Sequence, residues 1–365
     1  MTIIPQPLRS LKTAGALLLA LGCAALLPAA PLLPVQLTAQ GRVPAGPAGH
    51  VVVVDGLPLV LAGNKVWIKT GAEGWREKAW PHEGSLAAVF GDGRQAFALL
   101  AANPADQVQR VYQLVLVEGQ LVLRPLPALP APLLAGQGAV KESMVFVHGR
   151  DTAGVPHLFT LALSESAPAW RTYAGCPAAA GKLEALVAQQ DSLYAVVTPG
   201  DGSAQRLHRW SATQAWTEIS RLPGQLVPGA ARAVGQAHLL LVVGELESQR
   251  IVTYYAITQM WAELGGIAST GLHPAAAWGN GFLLAQASGQ DLALSLVELV
   301  PNKQLLRPLD WVMIVLYLGL IAGIGVYCYR RERKQSTAEF FVGSRTIPFW
   351  AAGISLYATN SSSIG

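Results

Sequence analysis

Short apolar runs alternate with turn-forming residues through most of the chain, from about residue 45 to residue 308. Runs of this length between Gly, Pro, Asp and Asn are typical of β-strands. Their order recurs along the chain: a first apolar run, a second that often ends in glycine, and a third that alternates aromatic and aliphatic residues. First runs occur at residues 51–54, 87–90, 183–187 and 230–234. The pattern predicts a domain built from many short strands.

Tryptophans mark the phase of this repeat. Trp75, Trp170, Trp216 and Trp261 stand in similar local sequences, residues 121–122 fill the one double-length gap, and Leu305 extends the series. The result is six units with a period of about 47 residues, which is within the range of propeller repeats. Four strands in each unit predict an all-β, six-bladed propeller, which hides its sheet edges by closing into a ring. We expect the tryptophans to pack between adjacent blades.

Both ends of the chain have the character of export or membrane segments. Arg9 and Lys12 precede an apolar run at residues 14–27, so residues 1–39 predict a signal peptide or, alternatively, an N-terminal anchor. Residues 311–329 carry no charge and are long enough to cross a bilayer. The loop at residues 330–346 is rich in Arg and Lys and is therefore expected on the cytoplasmic side. We predict a multi-pass protein of the cytoplasmic membrane, with a periplasmic or extracellular propeller at residues 45–308.

Composition agrees with a mixed architecture. The chain is 52% apolar and only 13% charged, which fits a folded domain joined to a few membrane segments. Its net charge of +4 comes without a basic patch interleaved with aromatic residues, so no nucleic-acid partner is indicated. Cys23 lies in the leader and Cys328 in the apolar span. Cys176 is thus alone in the large domain, and no disulfide is predicted within it.

The propeller region offers few residues with obvious chemistry. Its seven histidines are scattered without the spacing of a metal motif, so we predict no metal site there and no catalytic residues. Six charged residues follow predicted second strands, where loops at a blade face line pockets in many propellers. Solvated loop charges are the alternative interpretation. The six are Glu142, Arg150, Asp151, Glu245, Glu247 and Arg250.

A second apolar segment begins at Pro348 and turns polar at residues 359–363. Consecutive polar residues are costly against lipid, but they are tolerated where the backbone leaves the helix and lines a cavity. Broken helices of this kind hold substrate and sodium in many secondary transporters. An external loop is the alternative, although residues 348–358 alone would be too short to span a bilayer. We predict a broken helix from residue 348, and we expect the protein to continue beyond Gly365.

The string from about Ser336 to Gly365 resembles the start of the sodium:solute symporter family. The resemblance is carried by the aromatic pair at residues 340–341, by the Gly-x-Arg at residues 343–345 and by Ser-Leu-Tyr-Ala-Thr-Asn at residues 355–360. It implies that residues 310–365 are α-helical transmembrane segments of a five-helix inverted repeat, incomplete here, with sodium-coupled alternating access. It also implies a sodium ion bound by the backbone carbonyls of Ala358 and Ser361. Candidates for the solute pathway are Asn360, Ser362 and Ser363.

The repeat units at residues 45–308 resemble the kelch family, although most have one glycine where that family has a pair. Kelch-like propellers include sialic-acid mutarotases, and sodium:solute symporters include sialic-acid carriers. Together the two resemblances imply sodium-coupled transport of a small organic solute across the lipid bilayer, by a longer protein whose exported propeller binds or processes that solute. A sugar acid is the candidate solute. The alternative is a membrane-anchored propeller that acts as a ligand sensor or sugar-acid mutarotase without transport.

Overall fold

The structure of the chain is a computed structural model. It describes residues 35–46, 49–71, 74–101, 107–176, 181–245, 248–267, 274–300 and 308–332. The chain divides into two compact units, Met1–Asn302 and Lys303–Gly365. In the described ranges the first unit consists of β-strands and the second contains one long helix.

The described strands form six antiparallel sheets of four strands each, which are the six blades of the predicted propeller. Strand β1 (Val35–Val43) precedes the first complete blade. The first blade is formed by β2 (His50–Val54), β3 (Leu57–Ala62), β4 (Lys65–Lys69) and β5 (Trp75–Ala79), and the second by β6 (Ser85–Gly91), β7 (Ala96–Ala101), β8 (Val108–Val117) and β9 (Gln120–Pro125). The third is formed by β10 (Ala135–Lys141), β11 (Met144–Arg150), β12 (Pro156–Ala162) and β13 (Arg171–Ala174), and the fourth by β14 (Lys182–Gln189), β15 (Ser192–Thr198), β16 (Arg206–Ser211) and β17 (Gln214–Arg221). The fifth is formed by β18 (Gln225–Val234), β19 (His238–Glu245), β20 (Ser248–Tyr255) and β21 (Met260–Ile267), and the sixth contains β22 (Ala275–Trp278), β23 (Gly281–Ser288) and β24 (Asp291–Leu299).

The N-terminal strand completes the ring. β1 pairs antiparallel with β24, from Val35 opposite Leu299 to Val43 opposite Leu292, and so supplies the outer strand of the sixth blade. The propeller therefore includes Val35–Val43, which precede the expected start at residue 45 and overlap the residues assigned to a leader. Leu305, expected to mark the last strand of the sixth unit, lies outside the described residues. The outer position of that blade is occupied by β1.

The first strand of each blade lies nearest the propeller axis. These inner strands contact one another in the cyclic order β2, β6, β10, β14, β18, β22 and back to β2. Each inner strand continues into a hairpin that leads to the second strand, and all these hairpins lie at one end of the axis. We call this end the hairpin end. Its tightest turns use the left-handed region, as at Asp55 (φ 50°) and Gly56 (φ 77°), where an Asp-Gly pair is favoured.

The apolar core lies between neighbouring blades. One cluster joins side chains of β2, β3 and β4 to side chains of β7, β8 and β9, and similar clusters repeat around the ring. Phe97, Phe159, Tyr254 and Phe282 are among the largest fully buried side chains. Burying a large apolar side chain stabilises a fold by about 1.5–3 kcal/mol. These contacts hold the ring together without a disulfide, since Cys176, the cysteine of the described propeller, is a buried thiol.

The four phase-marking tryptophans connect adjacent blades, as the sequence predicts. In each case the indole Nε1 donates a hydrogen bond to an acceptor in or just beyond the outer strand of the preceding blade. The pairs are Trp75 with the Gln40 carbonyl (2.9 Å), Trp170 with the Pro127 carbonyl (2.8 Å), Trp216 with the Ala174 carbonyl (3.0 Å) and Trp261 with Ser220 Oγ (2.8 Å). The spacing of these tryptophans along the chain thus reflects the repeated junction between blades.

The second unit contains helix α1 (Pro308–Glu332). Its segment Leu309–Tyr327 has 19 residues, a mean hydropathy of 2.1 and no buried positions, so it is long and apolar enough to cross a membrane. It overlaps the span predicted at residues 311–329. Within the described ranges it is the one helix of this kind. The expected broken helix from residue 348 lies outside the described residues.

Candidate functional site

The residues predicted for cation binding and for the solute pathway lie outside the described part of the chain. These are Ala358, Asn360, Ser361, Ser362 and Ser363. The structure therefore describes candidate sites in the propeller, where the inner strands of several blades converge at the axis.

An aromatic ring fills the gap between two inner strands beside the axis. Phe90 of β6 is buried and lies against Gly138 of β10 so closely that a Cβ atom at Gly138 would fall under 3.0 Å from the ring. The Phe90 ring stacks on Phe97, with 5.6 Å between centroids. The axial cavity that remains has a volume of about 70 Å³. That is room for about two water molecules, whereas sites for small organic ligands usually measure about 300–1,000 Å³.

A larger cavity opens at the hairpin end, where β6, β10, β14 and β18 finish. Its volume is about 230 Å³, and we call it the hairpin-end cavity. Buried apolar side chains, including Val140, Leu186 and Val187, form part of its wall. Five polar side chains complete the lining: Asp92, Lys141, Glu142, Gln189 and Arg232. Four neighbouring blades thus contribute to a concave site with both signs of charge.

Arg232 of β18 is the most constrained charge in this cavity. Its Nη1 donates to the carbonyls of Gly279 (2.9 Å) and Gly281 (3.0 Å) in the sixth blade. Its Nε is buried and has no hydrogen-bond partner among the described residues. Burial lowers the pKa of Arg232, and the carboxylate of Asp92 acts in the opposite direction. The guanidinium is thus held by neutral carbonyls, and no described carboxylate forms an ion pair with it.

Asp92 belongs to the second blade and Arg232 to the fifth, so the two side chains reach the cavity from opposite sides of a six-bladed ring. Asp92 is fixed by its own turn, because its Oδ1 accepts hydrogen bonds from the backbone N–H groups of Arg94 and Gln95, both at 2.8 Å. A carboxylate and a guanidinium therefore face the same small volume from separate walls.

The remaining polar groups tie the hairpins of successive blades together. Every one of these bonds is donated from a blade to the hairpin of the next blade around the ring. They run from Gln95 Nε2 to the Glu142 carbonyl (2.5 Å), Lys141 Nζ to the Gln190 carbonyl (2.9 Å), Gln189 Nε2 to the Gly235 carbonyl (3.0 Å), Arg232 Nη1 to the Gly279 carbonyl (2.9 Å), Trp278 Nε1 to the Gly56 carbonyl (2.9 Å) and the Asp55 N–H to the Arg94 carbonyl (2.7 Å). This continuous set of bonds connects the hairpins of all six blades, including the four that line the cavity.

Of the six charged residues proposed from the sequence, the structure places Glu142 in the lining of the hairpin-end cavity and several others elsewhere. Glu142 lies in the hairpin after the first strand of its blade, not after the second, and its exposed side chain lines the hairpin-end cavity. Arg150 and Arg250 lie at the opposite end of the axis, where they donate to the carbonyls of Gly181 (3.0 Å) and Pro223 (2.6 Å). Glu245 ends β19, and Glu247 lies outside the described residues.

Asp151 is engaged in its own loop. Its Oδ1 accepts from the N–H groups of Ala153 and Val155, and its Oδ2 lies 2.8 Å from His157 Nε2. The His157 hydrogen bond is the main cause that lowers the pKa of Asp151. The contacts of this carboxylate are thus those of a rigid loop.

Two histidines of the described propeller bond to neighbouring groups of the fold. His148 is buried and accepts the Cys176 N–H at Nε2 (2.8 Å), so its neutral ring carries the proton on Nδ1. Burial, with smaller effects of Arg150 and His157, lowers the pKa of His148 to about 4. His82 uses both ring nitrogens, accepting from the Gly84 N–H at 2.8 Å and lying 3.1 Å from the Tyr112 hydroxyl. Within the described ranges no three His, Cys, Asp or Glu side chains are grouped to hold a metal ion.

Sequence reasoning missed Arg232, Lys141 and Asp92 as lining residues. Asp92 stands in a Gly-Asp-Gly string that reads simply as a turn, and the turn is indeed present. The three residues are far apart in sequence and lie on different blades. One signal was available: each stands at or next to the end of an inner strand, where six blades converge.

Comparisons with known proteins find similarities to different parts of the chain. No family model matches it. A stretch of 56 residues is 43% identical to the sodium/sialic acid symporter NanT of Aliivibrio fischeri, which covers 15% of this chain and 11% of NanT. The chain thus spans only about a tenth of the length of this curated relative.

Solved structures resemble the propeller. The structure of a protein called YjhT covers 71% of this chain and 95% of its own, with a TM-score of 0.51 and 11% sequence identity. AofleA from Arthrobotrys oligospora covers 74% of this chain and 90% of its own, with a TM-score of 0.49 and 8% identity. At 11% identity the likeness to YjhT shows the propeller fold alone.

Proposed function

We propose that this chain is part of a sodium-coupled symporter for a sugar acid, and that its propeller binds the same solute outside the cytoplasmic membrane. The observation that carries the proposal is the 43% identity over 56 residues to a sodium/sialic acid symporter, in a chain that also holds a complete six-bladed propeller. Helix α1 supports the proposal, because its length and hydropathy fit a membrane span.

In this proposal the two units of the chain act on the same solute in succession. The propeller collects the solute from dilute solution, and the membrane segments carry it inward with sodium. Sodium would be bound by the backbone carbonyls of Ala358 and Ser361, because unwound backbone at such points ligates the cation in broken-helix transporters. Asn360, Ser362 and Ser363 would line the solute pathway at the same break.

Transport is tested with the full-length protein in bacteria that lack their own sialic-acid carriers. Uptake of radiolabelled sialic acid is measured in sodium medium and in choline medium, with empty-vector cells as the control. We expect uptake that depends on sodium and that excess unlabelled sialic acid suppresses. Equal uptake in the two media would refute sodium coupling, and uptake no greater than that of empty-vector cells would refute the assigned solute.

A further inference from the structure

We infer that the hairpin-end cavity binds a small hydroxy acid that carries one negative charge. Its carboxylate would lie against Arg232 and Lys141, and its hydroxyl groups would face Asp92. This inference rests on the proposed function in one respect, that the propeller takes a solute at all. The ligand class and the roles of the residues follow from the cavity itself.

The two cations in the lining of the cavity favour an anionic ligand. A charge withdrawn from water is stabilised by an opposite charge, and the half-buried Arg232 is bonded to two neutral carbonyls instead. Its buried Nε has hydrogen-bonding capacity left over within the described part of the chain. Arginine presents a planar fork of donors that matches a carboxylate. Lys141 adds a second cation to the same lining and retains two further N–H donors beyond its bond to the Gln190 carbonyl.

Asp92, on the other side of the cavity from Arg232, favours hydroxyl groups in the ligand. The two backbone hydrogen bonds to Asp92 both use Oδ1, and an ionised carboxylate has further acceptor sites on its two oxygens. A carboxylate accepts hydrogen bonds and repels a second carboxylate, so Asp92 favours the hydroxylated part of a ligand. A molecule with an acid at one end and hydroxyls at the other therefore fits both walls in a single orientation.

The size of the cavity and the charge at its rim restrict the class of ligand further. A volume of about 230 Å³ lies below the usual range for drug-sized ligands, about 300–1,000 Å³, so the cavity takes a small acid or the acidic end of a sugar acid. Glu142 stands on the exposed rim of the same cavity. Its negative charge disfavours a ligand with a second negative charge, such as a phosphate ester. Buried Leu186 and Val187 keep water away from part of the wall, which strengthens the ionic contact.

The test uses the 365-residue chain in detergent micelles and calorimetric titration with sialic acid and with its carboxylate methyl ester. The ester keeps every hydroxyl and loses the charge. We expect the acid to bind at least about tenfold more tightly than the ester, as charge-assisted hydrogen bonds imply. Arg232→Gln should weaken acid binding by a similar factor and leave ester binding nearly unchanged. Arg232→Lys should keep part of the preference for the acid.

The matched control is Arg150→Gln. Arg150 also donates to a carbonyl, that of Gly181, but it lies at the other end of the axis. Its substitution should leave binding of both probes unchanged, while Asp92→Asn should weaken both. Thermal unfolding of each variant identifies any general loss of folding.

Three results would overturn the inference. The wild-type chain could bind neither probe, it could bind both equally, or an Arg232→Gln variant that folds could bind the acid as well as wild type. Sialic-acid uptake by the full-length protein reports on transport separately. Binding to this chain without sodium-dependent uptake would therefore refute the symporter proposal and leave the acid site standing.

Discussion

Replacing Gly138 by alanine should destabilise the propeller through a steric conflict between its inner strands β6 and β10. The new Cβ atom would lie under 3.0 Å from the ring of Phe90, whereas ordinary contacts fall at 3.4–4 Å. The ring has little freedom to withdraw. Phe90 is only 8% exposed and is stacked on Phe97, which is fully buried. The conflict must therefore be relieved by a shift of β6 or β10.

The expected size of the effect follows from measured costs of overpacking. Forcing an extra group into a well-packed core costs about 1–3 kcal/mol. Gly138 lies in a strand, where alanine has no conformational disadvantage relative to glycine, so the steric term sets the sign. Gly266 provides the control, because a Cβ there would meet only the Gln249 carbonyl at 3.9 Å. Gly266→Ala should change the free energy of unfolding by less than about 0.5 kcal/mol.

Urea unfolding followed by tryptophan fluorescence measures both variants. Phe90→Leu would supply the second arm of a double-mutant cycle, because a smaller side chain makes room for the new methyl group. We expect the combined variant to be more stable than the sum of the single effects predicts, by about 1 kcal/mol or more. If Gly138→Ala proved as stable as Gly266→Ala, or if the substitutions at Gly138 and Phe90 were simply additive, the Phe90 ring would not pack against Gly138 as described.

Two further predictions concern the junctions between blades and the buried histidine. Trp261→Phe removes the 2.8 Å hydrogen bond to Ser220 Oγ and should lower the free energy of unfolding by about 0.5–1.5 kcal/mol. In a chain that already carries Ser220→Ala, the same substitution should lower the free energy of unfolding little further. Full additivity of the two substitutions in urea titrations would argue against the bond. Because the pKa of His148 is lowered to about 4 from 6.5, the unfolded chain takes up its proton first as pH falls. Stability should therefore be complete above about pH 6.5 and should fall between pH 6.5 and pH 4, by up to about 3 kcal/mol. His148→Gln should flatten this part of the pH profile, and an unchanged slope would show that other groups cause it.

Much of the propeller can be predicted from local sequence. Runs at residues 51–54 and 183–187 lie within inner strands β2 and β14, and the tryptophans mark junctions between blades because each blade repeats the same environment. The sixth blade departs from the pattern. Its outer strand comes from β1, and no local signal at residues 35–43 indicates a partner near residue 299. Such a pairing depends on the geometry of the closed ring, which repeat phase alone does not encode.

The candidate site is harder to predict for a related reason. Arg232 and Asp92 come from blades on opposite sides of the ring, and in the sequence each looks like a charge beside a turn. Their proximity arises only when six sheets close around one axis. Arg150 and Arg250, which the sequence also offered as candidates, lie at strand ends with a similar local sequence. Their side chains bind neighbouring backbone carbonyls at the other end of the axis. Local sequence identifies loops, whereas ring closure decides which loops share a cavity.

The origin of the closing strand has a consequence for biosynthesis. About 250 residues separate Val43 from Asp291, so β1 leaves the ribosome long before β24 exists. At about 5–20 residues per second this delay is on the order of 10–50 seconds. Throughout that time β1 lacks the strand that holds it in the ring, so the Gln40 carbonyl that Trp75 binds in the finished propeller is not yet fixed in place. Synthesis of the last blade is thus the event that fixes β1 in the ring, and a chaperone that shields an extended segment would act most usefully on Val35–Val43.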